Sequence, residues 1–305
     1  MSFNPILKLW YKIFDKDKYQ YLKYKKSLDK RIKYYNSDVY NKILQIHENI
    51  KNNKDISFLH SGHLGDIIYS LPTIKKLSEN HNCNFYIQIN KTMDLKYFNH
   101  PAGNFFLNEK LANMLLPLLR EQNYLKKVEI YNGQNIEVDL DFFRKIPINM
   151  QFYSPRWFFL LTGVQTNLEK PYLEVKKHKE ITNKIVIIRT FRARNHFINY
   201  KFLKNFNDLI FIGLPEEFVD LKKQIPNLEF YDCKDFLEMS EIIKASKFFI
   251  GNQGLGYALA EALKVPRLLE ANPDFPVIFP IGSNSYDFYH QNDFEKFFNK
   301  LNKNS

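Results

Sequence analysis

Two stretches of the chain alternate short apolar strands with amphipathic helices, and this alternation constrains the fold more than any other feature. In the first stretch, the strand "ISFLH" leads through a glycine-containing turn into the helix "DIIYSLPTIKKL", and the strand "NFYIQI" follows. The second stretch begins at "KIVIIRT" and continues through "DLIFIGL", "KFFIG" and "PRLLEA". Units of this kind build parallel sheets covered by helices. The sequence therefore predicts an α/β chain with two doubly wound, Rossmann-like domains.

The domain boundaries follow from where these patterns begin and end. Two domains suit a chain of 305 residues, and two α/β domains in series leave a cleft between them. Ligands of open parallel sheets bind outside the carboxyl ends of the strands. The boundaries predicted are a basic helical extension over 1–54, an N-terminal domain over 55–178, a C-terminal domain over 179–285 and a C-terminal helix over 286–305.

The positive charge of the chain is concentrated at its N-terminus. The formal net charge is +11, and residues 1–54 contain 13 Lys and Arg against 5 Asp and Glu. Such a segment could meet a phosphate-rich partner, which could be an anionic lipid, a nucleic acid or a charged glycan. The alternative is an ordinary solvated helix face. A nucleic-acid role is the less favoured hypothesis, because the segment lacks a recognised nucleic-acid motif.

The cysteines and apolar runs indicate the cellular setting. Cys83 and Cys233 are far apart in the sequence, so no disulfide framework or metal spacing is visible, which suits a reducing cytoplasm. No apolar run approaches the roughly 20 residues of a membrane span, and charges interrupt the first 20 residues too early for a signal peptide. We expect a cytoplasmic protein, with peripheral contact to the inner face of a membrane through residues 1–54 left open.

The stretch "HSGHLGD" after the first strand contains the strongest candidate for chemistry. Gly62 and Gly65 permit close backbone approach, and the N–H groups of the following helix favour a negative charge. The stretch is not a phosphate-binding P-loop, because it lacks Gly-Lys-Ser/Thr. Asp66 has two interpretations, a simple helix N-cap or a carboxylate general base at the cleft. His60 and His63 could bind phosphate or be incidental.

Several segments resemble glycosyltransferase family 9, the heptosyltransferase-like enzymes. "GHLGDIIYSLPTIKKL" resembles the family's N-terminal motif, Gly-x-x-Gly-Asp followed by an apolar helix turn, Pro and Leu. "IIRTFRARNHFINYKFL", "FIGLPEE" and "MSEIIKASKFFIGNQGLGYALAEALKVP" resemble segments of its donor-binding domain. The match covers roughly residues 55–285. The resemblance implies the GT-B fold, in which two Rossmann-like domains face each other across a cleft where sugar transfer occurs.

The resemblance also implies roles for individual residues. Asp66 matches the catalytic base of an inverting, metal-independent transfer, with a nucleotide sugar as co-substrate and no other cofactor. Basic residues among Arg189, Arg192, Arg194 and Lys201 would neutralise the departing diphosphate. The acceptor, a glycan or lipid-linked glycan such as lipopolysaccharide core, would contact His63 and Arg144. The donor-binding set comprises Gly65, Arg189, Arg194, Lys201, Gly213, Asn252, Gln253, Gly254 and Glu270.

The donor turn departs from the family pattern, which leaves alternatives open. The family usually writes Asp-Ser/Thr-Gly with a later His, and here Gln253 and Ala258 replace the two titratable groups. A catalytically degenerate protein that binds sugars or nucleotides is therefore the second hypothesis. For Glu270 the alternative is an exposed loop carboxylate, and for Arg144 it is a surface ion pair.

Overall fold

The computed structural model describes residues 5–94, 100–146, 152–274 and 276–303, apart from the side chain of Tyr35. Within these ranges the strands form two sheets, and every strand pair is parallel. This architecture confirms the predicted α/β class with two doubly wound domains. The strands are β1 (Asp55–His60), β2 (Asn82–Ile87), β3 (Lys127–Ile130), β4 (Val138–Asp139), β5 (Ile185–Ile188), β6 (Leu209–Ile212), β7 (Glu229–Tyr231), β8 (Phe248–Asn252), β9 (Arg267–Glu270) and β10 (Ser285–Phe288).

Helices connect many of the strands and cover the sheets. The connections from β3 to β4 and from β9 to β10 contain no helix among their described residues. Two short 3-10 helices, Leu140–Lys145 and Lys201–Asn205, occupy connections as well. The α-helices are α1 (Pro5–Phe14), α2 (Lys16–Tyr35), α3 (Asp38–Asn52), α4 (Leu64–Leu77), α5 (Glu109–Arg120), α6 (Ser154–Thr162), α7 (Pro215–Lys222), α8 (Phe236–Ala245), α9 (Leu255–Leu263) and α10 (Gln291–Lys303).

The strand order places β1 and β5 in the interior of their sheets. The first sheet has the order β3-β2-β1-β4, and the second has the order β10-β9-β8-β5-β6-β7. All residues of β5, β6, β8 and β9 are buried, as expected of strands covered on both faces. Along β5, Ile185 and Ile187 enter one core, whereas Val186 and Ile188 enter the other. The period of two residues thus fills both faces of the second sheet.

The two domains contact each other through helices. Helix α4 packs against α9, and α5 packs against α8, so one apolar core contains buried side chains from both domains. The backbone N–H of Tyr172 also donates to the carbonyl of Ala262, with an N···O distance of 3.0 Å. A Cβ added to Gly65, at the start of α4, would lie 4.0 Å from the carbonyl oxygen of Gly254, which precedes α9. The turn after β1 and the turn after β8 are therefore close to each other.

The terminal elements are not separate from the domains. Helix α3 buries Ile43, Ile46 and Ile50 and packs against α6 of the first domain. Helix α10 buries Phe294 and Phe298 in the second core, and β10 pairs with β9. The predicted boundary at residue 54 thus lies between elements that pack together. The C-terminal helix predicted over 286–305 begins only at Gln291, because residues 285–288 form β10. Only α1 and α2 project as an arm, and no helix within the described ranges is long and apolar enough to cross a membrane.

Candidate functional site

The turn between β1 and α4 requires one of its two glycines. Gly62 has a φ of +104°, and an added Cβ would lie 3.0 Å from the carbonyl oxygen of Phe106 and 3.2 Å from the Cβ of Leu107. A larger residue would be strained and would clash there. Gly65, in contrast, lies inside α4, and its hydrogen leaves the space toward Gly254 open. Gly62 therefore shapes the turn, whereas the space beside Gly65 would also admit a Cβ.

Asp66 is not the cap of α4. The N-cap is His63, which makes no side-chain cap hydrogen bond, and Asp66 is the third residue of the helix. The interpretation of Asp66 as a simple N-cap is therefore wrong. Its side chain is 29% exposed, and Oδ2 lies 3.2 Å from Nη2 of Arg144. Within the described residues no hydrogen bond is made to Oδ1, so one carboxylate oxygen remains available to a ligand.

Arg144 holds Asp66 from the 3-10 helix Leu140–Lys145. The guanidinium group lies over the rings of Phe106 and Phe143, at 4.5 and 4.6 Å from their centroids. It also donates to the carbonyl of Gly62 and forms an ion pair with Asp141. The alternative predicted for Arg144, an ion pair, is thus observed. The pair is not on the outer surface, however, but at the candidate base Asp66. Planar, charge-assisted contacts of this type fix orientation.

Asp141 is the centre of a network that the sequence analysis missed. Its carboxylate is buried and accepts hydrogen bonds from the side chain and the N–H of Ser61, and its oxygens lie 3.1 Å from His60 Nδ1 and 2.8 Å from Lys91 Nζ. Burial acts to raise the pKa of Asp141, but His60, Arg144 and Lys91 outweigh this effect and hold the pKa well below its usual range. The ionised network connects the end of β1 to Arg144 and hence to Asp66.

His63 forms a pair with His100, a residue that no sequence pattern indicated. His63 Nδ1 lies 3.3 Å from His100 Nε2, and His100 Nδ1 accepts from the N–H of Ala102 at 3.2 Å. The proton of the neutral His100 ring is therefore on Nε2 and donates to His63. Burial lowers the pKa of His63; Asp66 opposes this shift, whereas Arg144 and Arg192 add to it. Burial, Arg192 and His63 lower the pKa of His100 to about 4.

This pair predicts a pH-dependent stability. The folded protein keeps His100 neutral down to about pH 4, whereas the unfolded chain binds a proton near pH 6.5. The pair's contribution is therefore present at pH 7 and is lost as the pH falls from about 6.5 toward 4. Thermal melts should show that the difference in Tm between the wild type and His100→Gln narrows across this range. Replacing the exposed His290 should leave the pH profile unchanged, and parallel curves for His100→Gln would contradict the assignment.

On the donor side, the parallel sheet brings four predicted residues to one edge. Arg189 follows β5, Gly213 follows β6, Asn252 ends β8 and Glu270 ends β9. These strands are adjacent in the order β9-β8-β5-β6, so their carboxyl ends form a continuous edge. This edge is where ligands of parallel sheets bind, and the binding role of the four residues stays a prediction.

Arg189 and Glu270, however, satisfy each other. Arg189 is 3% exposed and Glu270 is fully buried, and their two N···O distances are 2.7 and 3.0 Å. Glu270 also accepts from the hydroxyl of Tyr200 and from the N–H of Asn195. The alternative that Glu270 is an exposed loop carboxylate is therefore wrong. The buried ion pair therefore anchors the loop over 189–200 to the end of β9.

A further arginine of this loop, Arg192, is exposed. Arg194 is bound to Asp220 at 2.5 Å and stacks on Phe191, and buried Glu217 accepts from the N–H of Phe191 at 3.0 Å. Burial raises the pKa of Glu217, and Arg194 and Arg192 oppose the shift. Arg192 is exposed, and its charge reaches His63 and His100 across the domain boundary. Arg192 is thus a basic residue of this loop that lies near the start of α4, the helix that contains Asp66.

The donor turn itself carries amide groups and backbone N–H groups. Asn252 is buried, and its side chain bonds both the N–H and the carbonyl of Thr190, each at 2.8 Å. Gln253 and Gly254 are partly exposed, and Gly254 is the N-cap of α9. The N-terminus of α9 therefore opens toward α4. Lys201 is exposed at the start of its 3-10 helix. The described residues include no group of three or more His, Cys, Asp or Glu side chains that could hold a metal ion.

Three solved structures share this architecture. A glycosyl transferase of family 9 from Veillonella parvula matches with a TM-score of 0.54 and 12% identity, covering 82% of this chain and 89% of that one. E. coli ADP-heptose LPS heptosyltransferase II matches with a TM-score of 0.53 and 11% identity, covering 82% and 98%. E. coli heptosyltransferase WaaC with ADP matches with a TM-score of 0.51 and 11% identity, covering 81% and 99%.

These likenesses establish the fold of the chain. No known protein-family profile matches the sequence, and no curated protein matches it. The solved structures cover about four-fifths of this chain. The GT-B fold expected from the resemblance is therefore confirmed, and the chain is similar in fold to glycosyltransferases of family 9. Because fold alone does not fix chemistry, the reaction has to be argued from the site.

Proposed function

We propose that the protein is an inverting, metal-independent glycosyltransferase that moves a sugar from a nucleotide-sugar donor to a glycan or lipopolysaccharide-type acceptor. The observation that carries this proposal is the position of Asp66. Its carboxylate lies at the junction of the two domains and is oriented by Arg144 through one oxygen, and the other oxygen accepts no hydrogen bond from the part of the chain that the structure describes. A buried carboxylate committed to structure would have both oxygens satisfied, as Asp141 does.

In the proposed reaction, Oδ1 of Asp66 accepts the proton of an acceptor hydroxyl. The hydroxyl oxygen attacks the anomeric carbon of the donor sugar while the bond from that carbon to the diphosphate oxygen breaks. The electron pair of that bond leaves with the nucleoside diphosphate, and the anomeric configuration inverts. Asp66 releases its proton to solvent when the products depart. Asp66 is the catalytic residue of this scheme, and Arg144 is a positioning residue.

The negative charge that develops on the diphosphate needs positive partners. Arg192 is exposed at the carboxyl end of β5, and the first N–H groups of α9 lie at the carboxyl end of β8. Preorganised charges and dipoles of this kind stabilise a developing anion. Arg189 and Arg194 contribute indirectly, because their carboxylate partners hold the loop that carries Arg192.

Arg192→Ala should weaken donor binding without affecting the fold. Loss of one charge-assisted contact to phosphate is expected to raise the Kd for a nucleoside diphosphate by about 10- to 100-fold. Isothermal titration calorimetry with ADP, GDP, UDP and CMP, the last as a monophosphate control, measures this effect. Lys204→Ala, an exposed substitution on the neighbouring 3-10 helix, is the matched control. Equal affinities of Arg192→Ala and Lys204→Ala for the preferred nucleotide would contradict the assignment.

A catalytically degenerate nucleotide-sugar-binding protein is the second candidate. The observation that favours it is the donor turn, where Asn252 is occupied by Thr190 and Gln253 cannot titrate. A nucleotide sugar that raises the Tm of the protein but is never consumed, with any glycan acceptor, would select this candidate.

For the transferase, we further propose that the acceptor is lipid-linked, which would require a cytoplasmic enzyme to work at a membrane surface.

A further inference from the structure

The arm formed by α1 and α2 exposes an apolar stripe. None of the residues of α1 is buried, and its apolar residues recur at spacings that place them on one face of a helix. Ile6 is 78% exposed, Phe14 is 70% exposed and Trp10 is 51% exposed. Along α2 a second stripe continues at helical spacing. The exposed side chains of the two stripes are Ile6, Leu7, Leu9, Trp10, Ile13, Phe14, Tyr21, Tyr24, Leu28 and Ile32.

The same arm is strongly basic. Helix α2 contains eight Lys and Arg against two Asp in 20 residues, and Lys8 and Lys12 add two more positive charges on α1. The arm therefore combines an aromatic and aliphatic stripe with a polar face rich in lysine. This combination is typical of helices that lie in the interface of an anionic bilayer.

The arm is mounted on the first domain through α3. Helix α1 packs against α2, whereas α3 is fixed by its buried isoleucines and by a hydrogen bond from Asn49 Nδ2 to the carbonyl of Glu137 at 3.2 Å. Gly163, which ends α6, lies against the ring of His47 on α3, and an added Cβ would be 3.1 Å from that ring. The arm is thus connected, through α3, to the domain that contains Asp66.

We propose that α1 and α2 form a docking surface for an anionic lipid bilayer, with the apolar stripe in the headgroup region and the lysines against lipid phosphates. A nucleic acid would match the charge and its bases could stack on the exposed aromatic rings, but it would leave the aliphatic residues Ile6, Leu7 and Ile13 in water. A second copy of the chain would bring the same positive charge to the same face, which opposes pairing. An anionic bilayer matches both features at once. The surface is defined by residues 5–35.

The chain offers a built-in reporter for this test. It contains two tryptophans, of which Trp157 is 8% exposed in the core of the first domain. A Trp157→Phe variant makes Trp10 the sole tryptophan. On phosphatidylcholine vesicles containing about 30 mol% phosphatidylglycerol, we expect the Trp10 emission to shift to shorter wavelength and brominated lipids to quench it. On pure phosphatidylcholine vesicles the shift should be much smaller. No shift on the anionic vesicles would overturn the proposal.

A matched pair of charge reversals separates the arm from general charge effects. The triple variant Lys25→Glu, Lys26→Glu, Lys30→Glu changes exposed lysines of α2, and Lys176→Glu, Lys177→Glu, Lys179→Glu changes the net charge equally elsewhere. In a vesicle flotation assay the arm variant should partition about 100-fold more weakly, and the control should stay close to the wild type. Equal weakening of both variants, tighter binding of duplex DNA than of anionic vesicles at the same salt, or a dimer in sedimentation that buries Trp10 would overturn the proposal. These assays need no nucleotide sugar, so their outcome is independent of the proposed transfer.

Discussion

An Asp66→Asn variant is expected to lose sugar transfer by about 100- to 10,000-fold, the usual contribution of a general base. Asparagine keeps the shape of the side chain and can still accept from Arg144, which lies 3.2 Å from the carboxylate. It cannot take a proton from the acceptor hydroxyl, so kcat should fall while the Kd of the donor stays nearly unchanged. Single-turnover transfer assays together with calorimetry separate the two quantities.

The matched control for this substitution is Asp55→Asn. Asp55 is exposed at the amino end of β1, the strand whose carboxyl end leads to Asp66. Asp55→Asn should therefore transfer sugar at the wild-type rate. An Asp66→Asn variant that keeps its rate within tenfold of Asp55→Asn would exclude Asp66 as the base.

Arg189→Met is expected to lower the free energy of unfolding by about 3–5 kcal/mol, because it leaves the buried Glu270 carboxylate without its positive partner. The melting temperature should fall by about 10 °C. Tyr200 and Asn195 would still donate to Glu270, but neither carries a charge. Differential scanning calorimetry of the apo protein measures this effect directly.

A double variant tests whether the loss comes from the unpaired charge. Adding Glu270→Gln to Arg189→Met removes the buried charge and keeps an acceptor for Tyr200, so we expect more than half of the lost stability to return. If Arg189 instead bound the donor diphosphate, Arg189→Met would melt like the wild type and lose donor affinity. That result would restore the direct role expected from the sequence.

The alternation of strands and helices predicted most of the fold, because buried parallel strands have a strong local signature. "KIVIIRT" and "DLIFIGL" contain β5 and β6, and both read as apolar runs without any tertiary information. Strand β10 was not predicted, because residues 286–305 were expected to form a helix, which begins only at Gln291.

The sequence predicted which residues lie together at the carboxyl ends of β5, β8 and β9, but not which of them form ion pairs or hydrogen bonds with each other. Parallel topology brings Arg189, Asn252 and Glu270 together whatever their side chains do. Which carboxylate neutralises which arginine depends on contacts between residues far apart in sequence, and Arg189 and Glu270 are 81 positions apart. Local patterns contain no information on such pairs. The buried network around Asp141 was missed for the same reason, since its partners lie on three separate segments.

The most direct test of the proposed transfer is an NMR assay of the product. The protein is incubated with ADP-, GDP-, UDP- and CMP-sugars and a lipopolysaccharide-type acceptor, and the released nucleotide and the anomeric configuration of the new linkage are recorded. We predict that one donor is consumed, that the configuration inverts and that Asp66→Asn yields no product. A donor that binds without turnover, a product of retained configuration, or equal turnover by Asp66→Asn would contradict the account.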